Sequence, residues 1–381
     1  MKRNNTLRSV VIILDPRGTI LGGGPDVIER IQRYGFELQR LNKKVKLLVF
    51  SSHTKSEDFL SSSLDIIWLS KPTFNSVKFA LKAHKYLSKN QIDFKILIAS
   101  DPWESFWSAF ILNKFKTKKA PIQIQLHGDI ADSIWKKISL KNRIRFNLAK
   151  LSINKADSLR LVGNNQAVNI TSAFKINRNR ILVIPVPINK LMFSSVIAPR
   201  KPITLGLIGR IHNDRGIYNF IKLIKLLRVV RGDFTVLIAG SGPDEEKFLA
   251  EINELVPKSK VRFFGQLSEN ELKMVWIKTG VLVSTAPTES YGRAMREALV
   301  AGIPVWATKS SGVEDLISKA GKEAVKILDL TKNSHELSFE FDQLLKAKVS
   351  LRFRKQFMKD NSTYAQLLAK SWVDLINKQK P

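Results

Sequence analysis

A chain of 381 residues, 44% hydrophobic and 25% charged, has the length for about two domains with full-sized cores and is too apolar for a disordered or fibrous protein. It contains no cysteine, which excludes disulfides, thiolate metal sites and a cysteine nucleophile and is compatible with a reducing compartment. Lys and Arg number 63 against 33 Asp and Glu, a net charge of +30, with 33 basic and 13 acidic residues in positions 1–190 alone. Nucleic acid, an anionic membrane surface or phosphorylated substrates each answer such an excess, and so does a compositional habit of a proteome rich in Lys, Asn and Ile. The apolar run Val10 to Leu14 ends at Asp15 and is too short for a signal peptide. No stretch approaches the roughly 18 apolar residues of a membrane span, so the expectation is a soluble, cytoplasmic protein.

Short β-branched runs alternate with helix-length amphipathic stretches from end to end, the pattern of βαβ units and parallel sheets. The first half predicts strands at Val10 to Leu14, Lys46 to Phe50, Ile66 to Leu69, Lys95 to Ala99, Ile122 to Leu126, Leu159 to Val162 and Leu182 to Ile184. Between the first two, Ile31, Tyr34, Leu38 and Leu41 recur at helical steps of three and four. The second half repeats the plan at Thr204 to Ile208, Thr235 to Ala239, Arg262 to Phe264, Val281 to Ser284, Pro304 to Ala307 and Val325 to Leu328. Two doubly wound α/β domains follow. Their seam is expected near Val186 to Lys201, where Pro185, Pro187, Pro199 and Pro202 interrupt both helix and central strand.

Parallel sheets bind ligands beyond the carboxyl ends of their strands, so motifs at strand-to-helix passages carry the most information. Leu21-Gly22-Gly23-Gly24-Pro25 lies between the first strand and the helix from Val27; its bare backbone suits an anionic ligand, or simply a loop, and its spacing is not the dinucleotide fingerprint. Gly209-Arg210-Ile211-His212-Asn213-Asp214-Arg215-Gly216 follows a predicted strand directly. Its two guanidiniums, five residues apart, suit a bidentate hold on a diphosphate, the alternative being solvated surface arginines. Gly240-Ser241-Gly242-Pro243 allows a tight turn and close approach of a nucleotide before the acidic helix start Asp244, Glu245 and Glu246, acids that serve the helix dipole equally well. The segment Thr288 to Val305 carries Glu289 at a predicted helix start, Glu297 about two turns further on, Gly292 between them, and Gly302-Ile303-Pro304 launching the next strand. Carboxylates accept from sugar and ribose hydroxyls, and amides at a helix start receive phosphate charge.

Taken together, Gly209-Arg210 with Arg215-Gly216, Gly240-Ser241-Gly242-Pro243, Phe264-Gly265, the Glu289 and Glu297 pair, and Ala301-Gly302-Ile303-Pro304-Val305 resemble the nucleotide-sugar domain of the family-four retaining glycosyltransferases, the glycosyl transferases group 1. The resemblance is most specific over residues 203–320. Weaker agreement extends it over nearly the whole chain, in Gly22-Gly23, in His127-Gly128 and in the stretch from Ile184-Pro185 to Phe193. It implies GT-B architecture: two doubly wound, Rossmann-like domains facing each other across a cleft, an acceptor-side domain over residues 1–198, a donor-binding domain over 199–360, and a last helix over 361–381 crossing back to the first. It implies that Arg210 and Arg215 hold the donor diphosphate and stabilise the leaving group, and that Glu297 accepts from the ribose. Glu289 would accept from the transferred sugar, with the amides of Ser290, Tyr291, Gly292 and Arg293 nearby. Gly22 and Gly23 would meet the phosphate, Gly209 and Gly242 would admit the nucleotide, and His127 would face the reacting sugar. It further implies a UDP- or GDP-sugar co-substrate, same-face transfer with retention, no cofactor and no metal; no clear Asp-x-Asp motif is present.

The chain departs from the family pattern in three places: Arg215 stands where Lys is usual, Tyr291 where Phe is commoner, and Pro185-Val186-Pro187-Ile188-Asn189 where Asn-Gly-x-Asp is expected. From Lys136 to Lys155 there are seven basic residues and no acid, interleaved with Ile138, Leu140, Ile144, Phe146, Leu148, Leu151 and Ile153. This reads either as a basic amphipathic helix for anionic lipid or as a core-facing helix with a solvated basic face. With the first, the acceptor is a lipid-linked or cell-envelope glycan precursor and the protein is peripheral on the inner face of the plasma membrane. The other classes left open are a non-catalytic nucleotide-sugar binder and a basic nucleic-acid-binding protein. The latter lacks any recognisable nucleic-acid motif, so specific nucleic-acid recognition is not expected.

Overall fold

The computed structural model describes residues 9–21, 27–52, 58–188 and 203–378. The chain divides into two compact units, Met1–Pro185 with Thr363–Pro381, and Val186–Ser362. The first runs β1 (Ser9–Asp15), α1 (Val27–Leu41), β2 (Val45–Ser52), β3 (Phe59–Leu60), β4 (Leu64–Ser70), α2 (Ser76–Lys89), β5 (Asp93–Ala99), α3 (Glu104–Lys114), β6 (Ile122–Leu126), α4 (Ser133–Ile138), α5 (Leu140–Lys155), β7 (Ser158–Leu161), α6 (Asn164–Phe174) and β8 (Ile181–Val183). The second runs β9 (Thr204–Ile208), α7 (Ile217–Val230), β10 (Thr235–Ala239), α8 (Glu245–Leu255), β11 (Val261–Phe263), α9 (Glu269–Lys278), β12 (Val281–Ser284), α10 (Arg293–Val300), β13 (Val305–Ala307), α11 (Ser311–Ala320), β14 (Val325–Ile327), α12 (Ser334–Lys346) and α13 (Leu351–Ser362). A last helix, α14 (Tyr364–Asn377), belongs to the first unit.

The first sheet has the order β3-β4-β2-β1-β5-β6-β7-β8 and is parallel throughout except for the short β3, which pairs antiparallel with β4. The second, β11-β10-β9-β12-β13-β14, is entirely parallel. Parallel strands are covered by helices on both faces, which is why they read as continuous apolar runs: every residue of β2 is buried, and Val11, Ile12 and Leu14 of β1 are fully so. The predicted face of α1 packs inward through Ile31, Tyr34 and Leu38, while Leu41, at its last turn, stays exposed.

α14 completes the first core. Trp372 is fully buried, its indole Nε1 donates to Gln123 Oε1 at 2.9 Å, and Tyr34 meets Tyr364 and Trp372 edge-on at 5.7 and 6.2 Å between ring centroids. The unit boundary at Pro185/Val186 differs from the sequence boundary at 198/199, because the chain already packs with the second unit there. Ile188 is buried among Met295, Leu299 and Ile303, and the Val186 carbonyl accepts from Tyr291 Oη at 2.7 Å. The sequence boundary itself, at 198/199, lies outside the described residues.

Candidate functional site

In the second sheet β9 is flanked by β10 and β12, so the connections leaving β9 and β12 diverge and open a crevice beyond their carboxyl ends. Two of the sequence motifs sit on those connections. After β9 the chain passes through Gly209 to a single 3₁₀ turn, Asn213–Arg215, capped by His212, whose Nδ1 accepts from the Asp214 amide at 3.1 Å. Arg210 is exposed and its Nη2 donates to Asp214 Oδ2 at 2.8 Å. The loop leans on its neighbour after β10: Gly209 N donates to Ala239 O, and Ile211 N to Ser241 O, both at 2.9 Å. The two glycines named for nucleotide approach differ here. A Cβ on Gly242 would stand 2.0 Å from Ile211 O, so this glycine is required by loop-on-loop packing. A Cβ on Gly209 would meet nothing within 4 Å, and its φ of +148 leaves backbone open at the crevice.

After β12, residues 285–292 form a loop rather than a helix, and this corrects the placement of Glu289 at a helix start. Gly292 takes the left-handed conformation, φ 70, as N-cap, so α10 begins only at Arg293. Gly292 has no side chain with which to cap α10, and the positive end of the helix dipole lies at this loop. Glu289 Oε2 accepts from Arg215 Nη1 at 3.1 Å, joining the β12 loop to the β9 loop across the switch point. Glu297 is 3% exposed, and its Oε1 accepts from Arg293 Nε at 2.9 Å. Ser290 and Tyr291 are buried, and the Tyr291 amide, one of those named for the sugar and phosphate, donates to Glu289 Oε1 at 3.3 Å.

Beneath this loop lies Arg296, which the sequence analysis did not single out. It is 1% exposed, its Nη2 donates to Asp315 Oδ2 at 2.6 Å, and its guanidinium carbon lies 3.8 Å from the centroid of the Tyr291 ring. Burial lowers its pKa from the ordinary arginine value, opposed by Tyr291 and by the charges of Asp315 and Glu289. Its only sequence signal is a charged residue on a helix whose neighbours Met295, Ala298, Leu299 and Val300 are all buried.

His127, placed facing a reacting sugar, follows β6 in the first unit. Arg160 Nη1 lies 3.3 Å from its Nε2, and a guanidinium only donates, so Nε2 holds the lone pair and Nδ1 the proton. The surrounding protein, then the charges of Arg160 and Arg30, lower its pKa from 6.5 to about 3; although the ring reaches solvent, both charges act in the same direction and the imidazole is neutral at pH 7. Arg160 is itself buried, with Nε and Nη2 donating to the carbonyls of Ile184 and Pro185 at 2.9 and 2.8 Å. Gly22 and Gly23 lie outside the described residues. The turn leading to them is organised by Asp15, fully buried, which accepts from the amides of Thr19 and Ile20 at 3.0 Å and from Ser51 Oγ at 2.9 Å. Burial pushes the Asp15 carboxyl pKa up, against the lowering hydrogen bonds from Ser51 and those amides.

The basic segment forms two helices broken at Ser139, which caps α5. α5 has two apolar faces. Ala149 and Ile153 enter the core, while Leu140, Ile144, Leu148 and Leu151, spaced by four, four and three residues, stand on one exposed stripe. The stripe is continued by exposed Ile134 and Ile138 of α4. The exposed face is apolar and basic together, which departs from the reading of a core-facing helix with a solvated basic face.

The strand order, the two units and the glycine-lined switch point define a GT-B fold built of two Rossmann-like halves. A glycosyltransferase of Rickettsia africae has the same fold, with a TM-score of 0.67 at 14% identity over 98% of this chain and 100% of that one. Residues 189–361 match the family model described as glycosyl transferases group 1. It is similar to a 2-deoxystreptamine glucosyltransferase of Streptomyces kanamyceticus, 30% identical over 115 residues, which are 30% of each protein. It is also similar to a GDP-mannose-dependent alpha-mannosyltransferase of Corynebacterium glutamicum, 25% identical over 174 residues, 46% of this chain and 36% of that one. The matched stretches thus span little more than a third of these relatives at most.

Proposed function

We propose that this chain is a retaining glycosyltransferase that moves a sugar from a UDP- or GDP-linked donor to a hydroxyl of a lipid-linked or cell-envelope glycan precursor. The observation that carries the reading is the meeting of Arg215 and Glu289 at 3.1 Å across the β9/β12 switch point, beside Arg210 and the start of α10. An incoming diphosphate competes for Arg215, and the exchange releases Glu289 to accept from hydroxyls of the sugar. Arg210 and Arg215 then meet the charge that grows on the diphosphate as the C1–O bond breaks. The acceptor oxygen attacks C1 from the same face, its proton passes to the departing phosphate, and the anomeric configuration is kept. Glu297, held by Arg293, takes the ribose hydroxyls. His127, in the first unit, carries a neutral ring with its proton at Nδ1. The reading needs no metal: transfer should persist in EDTA. The relatives' names, a glucosyltransferase and a mannosyltransferase, support sugar transfer and leave the base and sugar to experiment.

The exposed apolar and basic face of α4 and α5 supports a place on anionic membrane, on its cytoplasmic side, where a lipid-linked acceptor is presented. Among the described residues no helix is long and apolar enough to cross a membrane. Sedimentation with anionic vesicles, lost in Ile144→Glu/Leu148→Glu, checks this; equal binding to neutral vesicles or none at physiological salt rejects it.

The first experiment is a thermal-shift panel of UDP, GDP, ADP and their sugar conjugates on wild type, Arg210→Glu and Glu297→Ala, since a ligand of the folded state raises the melting temperature. A shift with one nucleotide that the variants lose, followed by transfer to an added acceptor, is the expected result. A shift without transfer makes the chain a non-catalytic binder. No shift with any nucleotide, alongside a shift with DNA, rejects the reading.

A further inference from the structure

We infer that Arg296 is a positioning residue of the Glu289–Gly292 loop: it fixes the loop from beneath by holding the plane of the Tyr291 ring, and it touches no substrate. The inference deepens the reading of this loop as the sugar-nucleotide site and rests on it for its kinetic consequence, though not for its structural one.

The case begins with a residue that packing alone does not ask for. Apart from Glu297, the other buried residues of α10 are apolar, Met295, Ala298, Leu299 and Val300, and an aliphatic side chain would suit position 296. A guanidinium there gives up its hydration and recovers little of it in hydrogen bonds. Nη2 pairs with Asp315, while among the described residues Nε and Nη1 have no hydrogen-bond partner. What it gains is a flat, charged surface 3.8 Å from the Tyr291 centroid, and that ring is tied at both ends. Its Oη donates to Val186 O at 2.7 Å, and its amide donates to Glu289 Oε1 at 3.3 Å.

The loop is closed from its other side by the start of α11. Gly312 N donates to Glu289 O at 2.7 Å, and a Cβ at residue 312 would lie 2.7 Å from that oxygen and 2.9 Å from the Ser290 carbonyl carbon. The segment is therefore held between the backbone of α11 and a ring that Arg296 supports. Glu289 stands between two guanidinium charges, Arg215 bonded to it at 3.1 Å and Arg296 acting from beneath. A phenylalanine at 291 would keep the stack but not the bond to Val186, so the tyrosine and the buried arginine work as one device in this chain.

Arg296→Met is a usable test because Asp315 keeps a partner, Lys319 Nζ at 3.0 Å, and no carboxylate is orphaned. In the ligand-free protein, hydrogen exchange of the Tyr291, Gly292 and Arg293 amides should quicken about tenfold in Arg296→Met while the amides of residues 299–301 hold. In transfer assays the donor KM should rise about tenfold with the acceptor KM unchanged. Arg296→Lys keeps the charge and the Asp315 pair without the flat stack and should fall between wild type and Arg296→Met. Tyr291→Phe, the milder variant should Arg296→Met fail to fold, should loosen the same amides by less. Unchanged exchange at those amides overturns the inference. So does a loosening spread evenly over the second unit with both KM values moving together. A wild type that binds no sugar nucleotide sinks the functional reading, and the exchange pattern still decides whether Arg296 holds the loop.

Discussion

The two sheets pass through their switch points with the same local order, β4-β2-β1-β5 and β11-β10-β9-β12, yet the chain finishes the two crevices with opposite chemistry. At the ends of β1 and β5 it supplies its own anions. Asp15 gathers the amides of Thr19 and Ile20, and Asp101 gathers the amides of Trp103 and Ser105 together with Arg17 Nη2 at 3.0 Å. At the ends of β9 and β12 the carboxylates stand at the rim, where Asp214 and Glu289 pair with exposed arginines. Donors already committed to a buried carboxylate have nothing left for a ligand, whereas an exposed ion pair opens by exchange at small cost. The same topology thus yields one crevice braced from within and one prepared for an anion from outside.

Reversing charge at the open crevice should break this contrast most strongly. Arg210→Glu is expected to weaken sugar-nucleotide binding at least about 100-fold by calorimetry, whereas Asp101→Asn in the first unit should leave that affinity unchanged. Next, Glu289→Gln keeps the shape of the rim but weakens its pairing with Arg215; turnover should fall about tenfold or more while the Kd for the free nucleoside diphosphate changes little or improves.

Asp15→Asn sharpens the contrast from the braced side, with a loss of about 1–3 kcal/mol in chemical unfolding, because an amide cannot accept every hydrogen bond the carboxylate takes. The pH dependence adds a sign. The Asp15 pKa is raised in the folded state, so its titration contributes stability that is complete below 3.8 and is lost as pH rises through the raised value. The variant should lack that slope. The smallest effect concerns His127, whose lowered pKa works the other way. Its contribution is complete above 6.5 and is lost as pH falls from 6.5 toward about 3, and its ring resonances should not move through pH 6.5. Arg160→Met removes the bond to Nε2 and one opposing charge, and should bring that titration back toward 6.5.

Much of this was legible in the sequence because a strand buried on both faces must be written as an apolar run, and each predicted run lies on a strand to within a residue or two. β3 was not, since two residues on an antiparallel edge carry no period. Glu289 was found as a residue and misplaced as an element: the left-handed φ of Gly292 ends any helix there, and sequence alone does not distinguish that cap from a glycine within the first turn. Arg296 and Arg160 were passed over for a shared reason. A charge reads as solvated until tertiary structure supplies Tyr291 and Asp315 for one, and the carbonyls of Ile184 and Pro185 for the other. Roles that rest on a local motif are visible in the chain; roles that rest on a distant partner are not.

The return of α14 makes the second unit an insertion within the first. During synthesis the stretch 186–362 is contiguous and can close on itself as it emerges. The first unit instead waits for Trp372 and Tyr364 to cover Tyr34, a partner more than 300 residues earlier in the chain. At roughly 5–20 residues per second, that wait is on the order of ten seconds or more, with the apolar face of α1 bare on the ribosome. The half of the molecule that is made first is therefore the half that finishes last, and it is the nascent first unit that offers chaperones and proteases their longest opportunity.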